Sequence, residues 1–169
     1  HRLRARGVGP DGLVGLCTER SVDLVVGVLG IHKAGGAYVP LDPAYPRDRL
    51  SYMIEDSGLE VLVTQTALVP ELPAHAARVV ALDDPAELEG CSVARPEPAA
   101  APHHLAYVIY TSGPTARPEA SSVVCGRSAH SALNWGVRAS VTALPGPGGA
   151  RPHPSSTTRT RGELFMRSF

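Results

Sequence analysis

Thr111, Ser112 and Thr115 bracket Gly113 in a short hydroxyl-rich stretch, TSGPT, that comes directly after an apolar run. Hydroxyls donate hydrogen bonds to anionic oxygens, and glycine lets successive backbone amides turn into one concavity. Such a nest suits phosphate. The preceding run, from Leu105 to Tyr110, is rich in β-branched and aromatic residues and reads as a buried strand. In open α/β sheets ligands sit at the carboxyl ends of strands, where this stretch falls. Alone, the pattern is weak, since a strand ending in Thr-Ser-Gly is more often an ordinary turn.

The other reactive side chains carry less. His103 and His104 have no acid or nucleophile near them in sequence. Asp42, Asp48, Glu55 and Asp56 can be read as an acidic metal site, but solvated charges at helix ends explain them as well. Cys17, Cys91 and Cys125 lie far apart, without metal-ligand or redox spacing. Their odd number and an expected cytoplasmic setting favour free thiols.

The elements that must position the loop are legible in periodicity. Leu3 to Arg6 reads as the end of a helix stopped by Gly7, and Val14 to Cys17 as a parallel strand. Ser21 is a good N-cap, with Asp23 favouring the dipole of the helix beyond it. Val22, Val25, Val26 and Leu29 fall on one face of that helix, while Leu24, Val28 and Ile31 fill others. A helix apolar on so many sides is expected to be buried on more than one. Gly35 and Gly36 end it. Ala37 to Asp42 reads as a strand, Arg47 to Ser57 as a helix capped by Gly58, and Val61 to Thr64 and Val79 to Leu82 as further strands. Glu87 to Pro102 reads as a surface connection. This β-α-β-α-β rhythm predicts an α/β fold: a partial, mostly parallel sheet flanked by helices.

Two stretches together resemble a known family. HKAGGAYVPLDPAYPRDRL, residues 32–50, resembles the second core motif of the amino-acid adenylation domains of nonribosomal peptide synthetases, within the adenylate-forming superfamily. LAYVIYTSG, residues 105–113, resembles the start of that family's third core motif, its phosphate loop. The resemblance covers residues 3–113. It implies the large N-terminal subdomain of an adenylate-forming enzyme, which joins an amino-acid carboxylate to the α-phosphate of ATP. ATP and Mg2+ are the implied cofactors. An amino acid and a phosphopantetheine carrier domain are the implied partners in the parent synthetase.

The family's loop reads Thr-Ser-Gly-Ser-Thr-Gly-x-Pro-Lys-Gly. Thr111, Ser112, Gly113, Thr115 and Pro118 match it. Pro114 replaces a serine and removes a hydroxyl and an N–H together. Ala116 and Ala120 replace glycines, and Glu119 stands in place of the lysine that offsets phosphate charge. The expectation is a weakened ATP phosphate loop. No residue is assigned a catalytic or metal-binding role.

Charge divides the chain. Residues 1–119 hold 10 Lys+Arg against 15 Asp+Glu, a net of −5, whereas residues 120–169 hold six arginines against Glu163 alone. Residues 1–138 are expected to form the partial adenylation domain, and 139–169, rich in Pro, Gly, Ser, Thr and Arg, a disordered tail. Alternating recognisable and unrecognisable stretches are what shifted reading frames in a GC-rich gene would produce. A chain that opens on His1 inside a helical pattern reads as a piece of something longer. The 169 residues hold none of the family's later core motifs, so the polypeptide is expected to be inactive alone. Two alternatives stand beside that: a non-catalytic remnant used as an interaction surface, and a basic-tailed nucleic-acid binder. Scattered arginines without interleaved aromatics disfavour nucleic acid, and no apolar run is long enough to span a membrane.

Overall fold

The computed structural model describes residues 1–112, 118–124 and 138–140. Its sheet has seven strands in the order β4-β3-β1-β2-β5-β6-β7. These are β1 (Leu13–Cys17), β2 (Ala37–Pro40), β3 (Val61–Thr64), β4 (Arg78–Ala81), β5 (Leu105–Ser112), β6 (Pro118–Val124) and β7 (Arg138–Ser140). The first five run parallel, whereas β6 and β7 are antiparallel to their neighbours. The mostly parallel sheet expected from the sequence is present.

Helix α2 (Val22–Ala34) carries the chain from β1 to β2, and α3 (Arg47–Ser57) carries it back past β1 to β3. Because these crossovers step in opposite directions, right-handed connections put the helices on opposite faces. The core agrees. Ile31 and Ala34 of α2 pack with Val14, Leu16, Val61, Val63 and Val80, while Leu50, Met53 and Ile54 of α3 pack with Cys17, Val39, Leu41, Leu62 and Val108. Alternation along β1 divides its residues between the two layers. A short α1 (Arg2–Ala5) joins the α2 side, where Leu3 is buried, and Gly7 leaves it at φ 94°. A one-turn α4 (Pro85–Leu88) lies near it, Glu87 facing Arg2 and Arg6 at 3.4 and 3.3 Å.

The helix ends obey local chemistry. Ser21 accepts a hydrogen bond from Asp23 N at 3.2 Å, so the expected N-cap is made. Gly35, at φ 100°, takes the left-handed position after α2, which a side chain would strain. Gly58 ends α3 in the same way.

The apolar stripe of α2 faces the other way from the core. Gly27, Ile31 and Ala34 are buried, whereas Val22, Val25, Val26 and Leu29 are 76, 57, 50 and 53 % exposed. Periodicity found the stripe but not its direction, because the helix is apolar all round. Residues 66–71 form a 3-10 turn whose Leu68 is buried, in a region that the sequence left irregular.

Candidate functional site

The candidate site is built on β5. Val108 and Tyr110 point into the α3 layer, and Tyr110 is tied there: its O–H donates to Asp56 Oδ2 at 2.8 Å. Asp56 Oδ1 takes a second hydroxyl from Tyr52, one turn back on α3, at 3.3 Å. The Tyr52 and Tyr110 rings meet edge to face at 6.3 Å. Burial pushes the Tyr110 phenol well above its ordinary range, and the bond to Asp56 pushes it further, so it stays a donor. Asp56 thereby anchors the strand one residue before the hydroxyl-rich turn. In sequence it looked like one more helix-end charge. No spacing rule joins residues 54 positions apart.

Thr111 is exposed, and Ser112 is the last residue of β5. Strand β6 begins at Pro118 and pairs antiparallel, with Ser112 opposite Pro118, Thr111 opposite Glu119 and Tyr110 opposite Ala120. Thr111 and Ser112 thus end β5 at the carboxyl end of the parallel strands, opposite the start of β6. Gly113, Pro114, Thr115 and Ala116 lie outside the described residues. The register sets the Glu119 backbone directly across from Thr111. Ala120 is buried inside β6, an ordinary strand position. PEASSVV has little period-2 alternation of its own; it becomes a strand through its partner β5.

The other motif, around Lys33–Asp42, is a frame. It supplies the end of α2, the Gly35-Gly36 turn and strand β2. Asp42 Oδ1 accepts from Ala44 N at 2.9 Å and closes the next turn. With Asp42 and Asp56 occupied in this way, the acidic residues share no centre. Among the described residues no three His, Cys, Asp or Glu side chains converge on a possible metal position. His103 and His104 stack edge-on at 4.3 Å, and His104 Nδ1 accepts from Ala101 N at 2.9 Å, a turn-stabilising role. Cys17 and Cys91 are free thiols, and Cys125 lies outside the described residues. Among the described residues no helix is long and apolar enough to cross a membrane.

Comparison with known proteins places this geometry. A family model described as AMP-binding enzyme matches residues 1–135. The chain is 50% identical over 119 residues to tyrocidine synthase 3 of Brevibacillus parabrevis, a match covering 69% of this chain and 2% of that protein. It is 44% identical over 117 residues to bacitracin synthase 1 of Bacillus licheniformis, covering 69% and 2%. The chain therefore spans a few hundredths of the length of these relatives. Among solved structures, the AMPPNP-bound nonribosomal peptide synthetase FmoA3 superposes with a TM-score of 0.65 at 38% identity, over 72% of this chain and 13% of that one. The N-terminal subdomain of NpsA from Klebsiella oxytoca shares the fold with a TM-score of 0.62 at 22% identity, over 73% and 31%.

Proposed function

The chain belongs to the AMP-binding enzyme family, and from that premise we propose that it is part of an amino-acid-activating adenylation domain with a weakened phosphate loop. The relatives are nonribosomal peptide synthetases, and FmoA3 has been solved with AMPPNP and with an amino-acyl adenylate. The observation that carries the reading is the placement of Thr111 and Ser112. They are the last two residues of a parallel strand, at its carboxyl end, inside the matched segment. With Gly113 and Thr115 they are the residues assigned to the ATP phosphates. Mg2+ would accompany the nucleotide, and the activated amino acid would pass to a phosphopantetheine carrier domain. A carrier partner is in keeping with the artificially fused NpsA–ThdA adenylation–carrier didomain. In this reading residues 1–138 are the adenylation part and 139–169 a separate tail.

The loop is weakened by Pro114, Ala116, Ala120 and above all Glu119. Two unit charges about 6 Å apart at an effective dielectric of about 20 interact by about 3 kcal/mol. Glu119 repels phosphate where a lysine would attract it. The polypeptide alone is expected to catalyse no amino-acid-dependent ATP–pyrophosphate exchange. Titration with ATP and Mg2+ tests the assignment: Glu119→Lys should tighten binding by about one to two orders of magnitude, even halved for screening. Equal affinities in the two proteins would remove the turn from the nucleotide site.

One observation favours a second reading, a non-catalytic adenylation remnant used as an interaction surface. The outward stripe of α2 is apolar and uncovered. Nucleotide-independent binding to a synthetase partner, lost on placing charges at Val25 and Leu29, would favour it over the first.

A further inference from the structure

Strand β5 carries Thr111 and Ser112, yet its seam with β2 is thin. Tyr38 and Tyr107 are the register pair that joins them. The cause lies in β2. Ala37 N and Leu41 N donate to Gly12 O and Leu16 O on the β1 side, both at 2.9 Å. Alternation then turns the backbone of Tyr38 and residue 40 toward β5. Residue 40 is proline and has no N–H to give. On the opposite edge, Leu105 and Tyr107 face Val124 and Val123, so Ala106 is the extra residue of a bulge. A bulge bends its strand and re-aims the residues beyond it.

Side chains take over where the ladder is short. Asp11 Oδ1 accepts from Leu105 N at 2.8 Å. His32 Nε2 lies 3.0 Å from Ala106 O. A carbonyl only accepts, so Nε2 carries the proton in this contact. The His32 ring also leans on Tyr38 at 5.6 Å, and Tyr38 on Tyr107 at 5.5 Å. One residue in the last turn of α2 thus reaches both strands of the seam.

We propose that His32 is a positioning residue: its Nε2–H holds the Ala106 bulge and so sets the register in which β5 carries Thr111 and Ser112 at its carboxyl end. The proposal takes from the functional reading above only the identity of the ligand at that end. The placement of the strand stands without it.

Hydrogen–deuterium exchange on the full 169-residue chain tests the role. His32→Leu removes the donor, and the amides of residues 107–112 should exchange about five- to tenfold faster, with β1 and β3 unchanged. His32→Gln carries an amide N–H to similar reach and should restore exchange to within about twofold of the parent. Unchanged exchange in His32→Leu overturns the proposal, and so does uniform acceleration across the sheet or failure of glutamine to rescue. Should His32→Leu not fold, His32→Asn, whose amide falls short of Ala106, should show the same local acceleration, and its absence overturns the proposal. Titration with ATP and Mg2+ separates the two readings. The local exchange pattern, seen where Glu119→Lys gains no affinity for ATP over the parent, refutes the nucleotide assignment and leaves His32 in place.

Discussion

Cys17 shows how a residue's chemistry is decided by its surroundings. It is 1 % exposed, beneath α3, and burial pushes its thiol up from 9.0 to about 11, helped by the carboxylates of Asp42 and Glu71. At neutral pH it is a protonated, inert core side chain. Native protein should therefore be alkylated at the half-buried Cys91 and not at Cys17, with Cys17 reacting only after denaturation; mass spectrometry of the labelled peptides checks this. The pH effect has a definite sign. Between pH 9 and about 11 the unfolded thiol has lost its proton while the folded one keeps it, so stability falls as pH rises through that window. Gly36 is decided by space instead. A Cβ there would come within 2.7 Å of Val8 Cγ1 and 3.0 Å of Gly12 O, so Gly36→Ala should cost about 1–3 kcal/mol in urea denaturation. The glycine pair was legible in sequence as a helix stop. That its second member makes room for a neighbouring backbone was not, because residue 12 is distant along the chain.

At the scale of elements, β1 to β5 and the helices α2 and α3 were legible because each is a short apolar run or a helical pattern with a stop signal. What periodicity could not give was the partner of each element. Strand β6 exists by pairing with β5, and the anchor of β5 is the Tyr110–Asp56 bond across to α3. Removing that hydroxyl leaves a partly buried carboxylate short of a donor. Tyr110→Phe should therefore lower stability by about 1.5–3 kcal/mol, the range for a hydrogen bond to a charged group. Thermal melts at pH 7 measure it. Phenylalanine keeps the ring in the cluster that holds Leu50 and Met53, so a loss confined to a few tenths of a kcal/mol would show the bond to be peripheral.

At the scale of the molecule, the sheet is clothed by α3 on one face and by α2 on the other, but α2 has two apolar sides and uses one. Its inner side, Gly27, Ile31 and Ala34, is packed so closely that a Cβ on Gly27 would meet Leu16 Cδ1 at 2.6 Å. Its outer side shows Val22, Val25, Val26 and Leu29 to solvent. A helix apolar all round is a helix made to be buried. The matched stretch is 31% of the NpsA N-terminal subdomain, so most of that chain lies outside the match. The two sides can be told apart by substitution. Ile31→Ala, on the inner side, should cost about 2–5 kcal/mol in urea denaturation, the usual cost of a core truncation. Val25→Glu with Leu29→Lys, on the outer side, should change stability by no more than about 0.5 kcal/mol while reducing light scattering at high protein concentration. A double variant as damaging as Ile31→Ala would mean that these 169 residues bury both sides of the helix among themselves.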